Sequence, residues 1–175
     1  MHTIYKMNTF VLEKWDDEGK ICTFYTVKWD GNTSNEADSF FNKYEQLSEY
    51  QESTQELLSL VLDVIGDTHG AKEVFFNRFE NEVIGLPMHG RVLGSYFPNF
   101  PLRLYALRIN QNIVVLFNGG VKDGATNQTS SLHLQWQEAC QFARKIDDAI
   151  TRGEILIDEN KRLLIAYDNS TEIIL

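Results

Sequence analysis

Between Arg91 and Lys122 the chain reads RVLGSYFPNFPLRLYALRINQNIVVLFNGGVK, without one Asp or Glu, in a protein of formal net charge -9. The stretch carries four cations, Arg91, Arg103, Arg108 and Lys122. Its second half has the pattern of a β-hairpin. Residues 102–109 and 113–118 are apolar and rich in β-branched and aromatic side chains, and Asn110-Gln111-Asn112 joins them. Asn tolerates the positive φ that tight hairpin turns demand. The basic segment therefore reads as a pair of central strands, where cations are rare unless something holds them.

The faces of the first strand are mixed. Arg103, Tyr105, Leu107 and Ile109 share one side, and Leu102, Leu104, Ala106 and Arg108 the other. Either a bulge re-aims part of the strand, or each face is divided between core and solvent. A sheet face bearing Arg, Tyr and Lys suits phosphate binding, with Tyr able to stack on a base. The other reading pairs the arginines with acidic helices, because charge is segregated along the chain. Residues 36–67 hold eight acids and one lysine, whereas residues 71–122 hold six cations and three acids.

The rest of the chain builds around this hairpin. Residues 7–15 and 21–29 read as two strands joined through Asp16-Asp17-Glu18-Gly19-Lys20. Residues 36–50 form an amphipathic helix with Ala37, Phe40, Phe41, Tyr44 and Leu47 on one stripe, capped by Thr33 or Asn35. A second helix spans residues 55–65, with a capping box at Ser53-Thr54-Gln55-Glu56 and a stop at Gly66. The short link makes the two an antiparallel helical hairpin. Residues 71–79 fit a short helix or a strand. Residues 82–89 fit an edge strand, since Pro87 lacks a ladder donor. Tyr96 to Pro101 reads as a loop, and Asn118-Gly119-Gly120 as a sharp turn with a strand resuming at Val121 and Lys122. A polar loop over residues 123–131, the longest helix over 134–150, a stop at Gly153 and a final hairpin from 154 to 167 complete the order. Strands, two helices, strands, one helix and a hairpin make an α+β protein with an antiparallel sheet.

One domain is expected for 175 residues, with a 43% hydrophobic content adequate for a core. No apolar run reaches membrane-spanning length, and the N-terminal residues lack the apolar centre of a signal peptide. The expectation is a soluble cytoplasmic protein that does not engage the membrane. Cys22 and Cys140 lack metal-ligand spacing and read as small buried residues. The acidic total argues against a general nucleic-acid binder. No phosphate-binding glycine loop and no nucleophile elbow is present.

Gly66-Asp67-Thr68-His69-Gly70 matches the opening motif of calcineurin-like metallophosphoesterases, which must follow a buried strand so that Asp and His meet a metal pair. Residues 61–65 would have to be that strand. The apolar spacing from Leu57 is helical, and later ligand motifs of that family are missing, so a helix end followed by a polar turn is the simpler account.

Leu102-Arg103-Leu104-Tyr105-Ala106-Leu107-Arg108-Ile109, a short turn, Ile113-Val114-Val115-Leu116-Phe117-Asn118-Gly119-Gly120-Val121-Lys122, and a helix with Glu138-Ala139-Cys140 and Ala143-Arg144 together resemble the C-terminal half of RelE/ParE-superfamily toxins. The likeness is nearest to the phage-derived HigB group. The preceding helical hairpin fits the same fold, so the resemblance covers residues 36–150. It leaves residues 1–30 as an N-terminal hairpin extension and 154–175 as a C-terminal hairpin or tail. The chain is longer and more acidic than typical members. The resemblance implies an antiparallel sheet with the helical hairpin on one face and a C-terminal helix. It implies a toxin paired with a cognate antitoxin protein. Many relatives are ribosome-dependent mRNA endonucleases that work without a metal or cofactor; others inhibit gyrase without cutting. By position Arg103, Arg108 and Lys122 match the family's basic sites, with Tyr105 beside them. The expected roles are phosphate clamps for Arg103 and Arg108, or for Arg103 alone if the two lie on opposite faces, since Arg103 shares a face with Tyr105; a base for Lys122; and a stacking platform for Tyr105. A non-catalytic interaction module is the alternative, and no feature assigns an oligomeric state.

Overall fold

The computed structural model describes residues 9–78, 82–88, 91–92, 95–96, 99–122 and 131–175. Strands β1 (Phe10–Asp16) and β2 (Thr23–Trp29) form the expected N-terminal hairpin. Strands β3 (Asn77–Arg78), β4 (Val83–Leu86), β7 (Leu102–Asn110), β8 (Ile113–Val121) and β11 (Ile173–Ile174) join them in one seven-stranded sheet, ordered β11-β1-β2-β8-β7-β4-β3. Two further two-stranded ladders pair β5 (Arg91–Val92) with β6 (Ser95–Tyr96), and β9 (Ile155–Asp158) with β10 (Leu163–Ala166). The protein is α+β as expected, but the sheet is mixed. β2 runs parallel to β8, Thr23–Thr26 against Ile113–Leu116, while the other strand pairs are antiparallel. Periodicity reports which face a residue takes. It carries no information on the relative direction of strands far apart in sequence.

Both faces of the central hairpin are buried, which is why Ile113–Phe117 is continuously apolar. Leu102, Leu104, Ala106, Val114 and Leu116 pack in one core with Phe40, Tyr44, Leu57, Val61 and Ile65. Tyr105, Leu107, Ile113, Val115 and Phe117 pack in a second core with Ala139, Phe142, Ala143 and Ile146. The helical hairpin thus covers one face and the C-terminal helix α3 (Ser131–Thr151) the other. The outer hairpins share these cores: Phe10, Tyr25, Ile155 and Leu164 are buried under α3.

Helix α1 (Glu36–Glu45) is capped by Asn35, whose side-chain oxygen accepts from the Asp38 amide at 2.8 Å. It ends before Leu47, so that stripe residue is exposed. Helix α2 (Gln51–Ser59) starts earlier than its sequence signals, because the Thr54 hydroxyl bonds back to the Tyr50 carbonyl at 2.7 Å instead of capping. It continues as a π-helical segment, Leu60–His69, that stops at Gly70 rather than Gly66. Gly70 takes φ +77° and donates its amide to the Ile65 carbonyl. Residues 61–65 are therefore helical, and the strand that a metallophosphoesterase motif needs is absent there. Among the described residues no group of three or more His, Cys, Asp or Glu side chains could hold a metal.

Three further expectations change. β4 is an interior strand, flanked by β7 and the two-residue β3, so the edge lies one strand further out. Asn118-Gly119-Gly120 lies within β8 and does not turn the chain. The terminal β11 pairs with β1, Val11 opposite Ile174, and at two residues is too short to show a period. Residues 123–130 of the expected polar loop and parts of the 96–101 loop lie outside the described residues. No helix among the described residues is long and apolar enough to cross a membrane.

Candidate functional site at the bulge of the central hairpin

The pairing of β7 with β8 slips by one residue. Leu104 faces Gly119 and Ala106 faces Leu116, so three steps along β8 match two along β7. The extra residue falls at Phe117-Asn118, a β-bulge on β8 rather than on the Arg-bearing strand. Gly119 is required there. A Cβ at that position would lie 1.8 Å from the Arg103 carbonyl oxygen. The Asn118 side chain accepts from the Gly119 amide at 2.7 Å and fixes the local geometry. Beyond the bulge, Gly120 stands opposite Arg103, and the Lys122 amide donates to the Pro101 carbonyl at 2.7 Å.

This register brings Arg103, Tyr105 and Lys122 together. Lys122 is half-buried. Burial first, and then the Arg103 guanidinium, hold its ammonium below the usual lysine range. Burial also lowers Arg103, with Tyr105 opposing the shift. Arg103 is only 6% exposed and Tyr105 only 1%. A base cannot stack on a ring that buried, so the platform role expected for Tyr105 does not fit. Its ring belongs to the α3 core, and burial pushes its phenol up to about 12.

Arg108 is not part of this group. It lies five residues along β7 from Arg103, about 16 Å in an extended strand. There it pairs opposite Val114, and its Nε donates to the Ala71 carbonyl, pinning the segment that follows the π-helical turn. A clamp by both arginines is therefore not formed; of the two, Arg103 is the one near Lys122, as opposite faces imply. Cys22 is buried, with its thiol pushed up to about 12 by that burial, and Cys140 is half-buried on α3.

The same bulge organises a second charged group. β2 and β8 pair only as far as Thr26 and Leu116. Just past that point the carboxyl of Glu36, the first residue of α1, lies beside Asn118 of β8 and Glu138 of α3. Trp29 of β2 donates its Nε1 to Glu138 Oε2 at 3.2 Å. Glu36 is 6% exposed. Burial first, then the hydrogen bond and charge of Glu138, push its carboxyl up to about 8, with Asn118 opposing. Carboxyl groups from helices on opposite faces of the sheet thus meet where two parallel strands part. In the sequence Glu36 has capping-box spacing with Thr33 at the start of a helix, and Glu138 belongs to the Glu138-Ala139-Cys140 segment of the toxin resemblance. The available signal was a carboxylate four residues before Phe142, on the flank of the α3 apolar stripe.

Folded Glu36 keeps its proton to about pH 8, whereas an ordinary glutamate carboxyl loses it near 4.5. Between these values the folded state binds more protons than the unfolded one. The contribution is fully present below the unfolded value and is lost as pH rises to about 8. The expected slope is on the order of 1.4 kcal/mol per pH unit in that window. Glu36→Gln should flatten the urea midpoint against pH and raise stability at the alkaline end. Parallel pH profiles for the two proteins would show that Glu36 is not held protonated.

The chain matches no protein-family model, no curated protein and no solved structure.

Proposed function

We propose that this protein is the toxin of a bacterial type II toxin–antitoxin pair, of the RelE/ParE type nearest to HigB, and that it cleaves mRNA on the ribosome without a metal. The order of elements supports the reading: a helical hairpin, an Arg-bearing strand, an apolar strand, a glycine-containing segment ending in Lys, and a final helix. The observation that carries it is the meeting of Lys122 with Arg103 at the end of the hairpin. A lysine held below its usual range is a candidate general base, provided it reaches its substrate. In this reading neutral Lys122 takes the proton of a ribose 2′-hydroxyl, whose oxygen attacks the adjacent phosphate; a 2′,3′-cyclic phosphate forms as the bond to the next nucleotide's 5′-oxygen breaks, and that oxygen leaves with a proton from water. Arg103, largely buried, tunes Lys122 from behind, and Tyr105 packs the strand in place. Cleavage should rise with pH as the neutral form of Lys122 grows, at lower pH than an ordinary lysine would give.

The burial of Arg103 and Tyr105 favours one alternative, an interaction protein that binds its target without cutting it. Inducible expression in bacteria separates the two. Growth arrest with mRNA cleaved on ribosomes, relieved by co-expressing the product of the adjacent gene, supports the nuclease. Arrest with DNA damage and intact mRNA supports a gyrase-type inhibitor. Unimpaired growth would count against any toxin.

A further inference from the structure

A cleft of about 340 Å³ opens at the other end of β7, away from the bulge. That is within the size range of ligand pockets, roughly 300–1,000 Å³. Its apolar lining comes from three layers of the fold: Ile84 and Leu107 from the sheet, Ile150 from α3, and the exposed Ile157 from β9. Three carboxylates line it, each from a different element. Glu73 stands on the turn before β3, Glu82 just before β4, and Asp147 on α3, and all three are exposed. Among the described lining residues the one cation is Arg108, whose Nε is donated to the Ala71 carbonyl. The cleft therefore combines an aliphatic lining with carboxylates and a negative balance.

We propose that this cleft docks a basic, aliphatic segment of a partner protein, a short stretch in which Lys or Arg alternates with Leu, Ile or Val. The inference goes beyond the toxin reading and does not depend on it. A long cationic side chain suits the cleft twice: its methylene stem packs on Leu107, Ile150 and Ile157, and its head meets the carboxylates. Charge complementarity favours such a partner over an acidic or neutral one, and the protein's net charge of -9 steers it inward.

The test uses the full chain with methyl-labelled Ile, Leu and Val, and a short fluorescent peptide of alternating leucine and lysine as the probe. Binding is expected, weakened by salt, with methyl shifts centred on Leu107, Ile150 and Ile157. Asp147→Lys and Glu73→Lys change exposed positions, and each should weaken binding by roughly tenfold or more. Several results would overturn the proposal. They are no binding, equal binding of a leucine–serine or leucine–glutamate peptide, shifts mapping elsewhere, or charge-reversed variants that bind as before. A dimer of the protein that these variants dissociate would assign the cleft to a second copy and overturn it equally.

Discussion

Gly119→Ala is expected to unfold the protein or to lower its melting temperature severely. The added methyl would stand 1.8 Å from the Arg103 carbonyl oxygen and 2.9 Å from the Leu104 Cα. These are backbone atoms of the central strand and cannot step aside as a flexible side chain would. Relief requires β7 and β8 to separate at the bulge, where both faces are buried. Losses of about 4–5 kcal/mol or more belong to such changes, or roughly 8–20 °C in a chain of this size. Gly120→Ala is the matched control one residue on. Its methyl would meet Leu132 Cδ1 at 3.5 Å and the Tyr44 hydroxyl at 3.7 Å, ordinary contacts, so a change of about 1 kcal/mol or less is expected. Calorimetry on the two variants decides the point. Equal melting temperatures would mean that the strands do not approach each other at Gly119.

On the proposed toxin function, Lys122→Ala is expected to abolish toxicity with little loss of stability. Lys122 is half-buried at the end of β8, and its amide bond to Pro101 survives the change. The expected loss of cleavage is about 10²–10³-fold, the scale found when one catalytic contributor is removed. Lys122→Arg keeps the charge but cannot supply a neutral base, so it should be nearly as inactive. Arg103→Ala leaves a hole in a packed region and confuses unfolding with loss of function. Arg103→Met keeps the volume and removes the charge. It should let Lys122 return toward its usual range and shift the pH profile of cleavage to higher pH, while the melting temperature stays near that of the parent. If activity in Arg103→Met merely tracks unfolding, Arg103 is a structural residue and has no part in the chemistry.

Much of the fold was legible because it rests on local pattern. The β7–β8 hairpin, α1 and its Asn35 cap, α3 with its Gly153 stop and the β9–β10 hairpin all carry their own periodicity and caps. What was not legible depends on contacts between distant segments. The parallel pairing of β2 with β8 follows from where the helical hairpin delivers the chain, and no strand encodes it alone. β7 itself alternates without a break, its even positions in one core and its odd positions in the other; the bulge resides on the partner strand, in a glycine pair that reads locally as a turn. The π-helical continuation through Gly66 is held from outside. The Gly66 carbonyl accepts the amides of Ile21 and Cys22 at 2.9 and 3.0 Å, so the motif-like segment is fixed by the N-terminal hairpin. In the site, Arg103 and Lys122 were identifiable from charge and position. The separation of Arg108 followed from strand alternation and length. The burial of Tyr105 and the Glu36–Glu138 contact were not visible, since both depend on where α3 lies across the sheet.

The proposed metal-independent cleavage of ribosome-bound mRNA through Lys122 can be read in a primer-extension assay on translating ribosomes programmed with a defined mRNA, with the purified protein added in excess chelator. Cuts are expected within the ribosome-bound region, persisting in chelator, increasing with pH and disappearing with Lys122→Ala. Intact mRNA with the unmodified protein, or cuts that Lys122→Ala still makes at full rate, would contradict it.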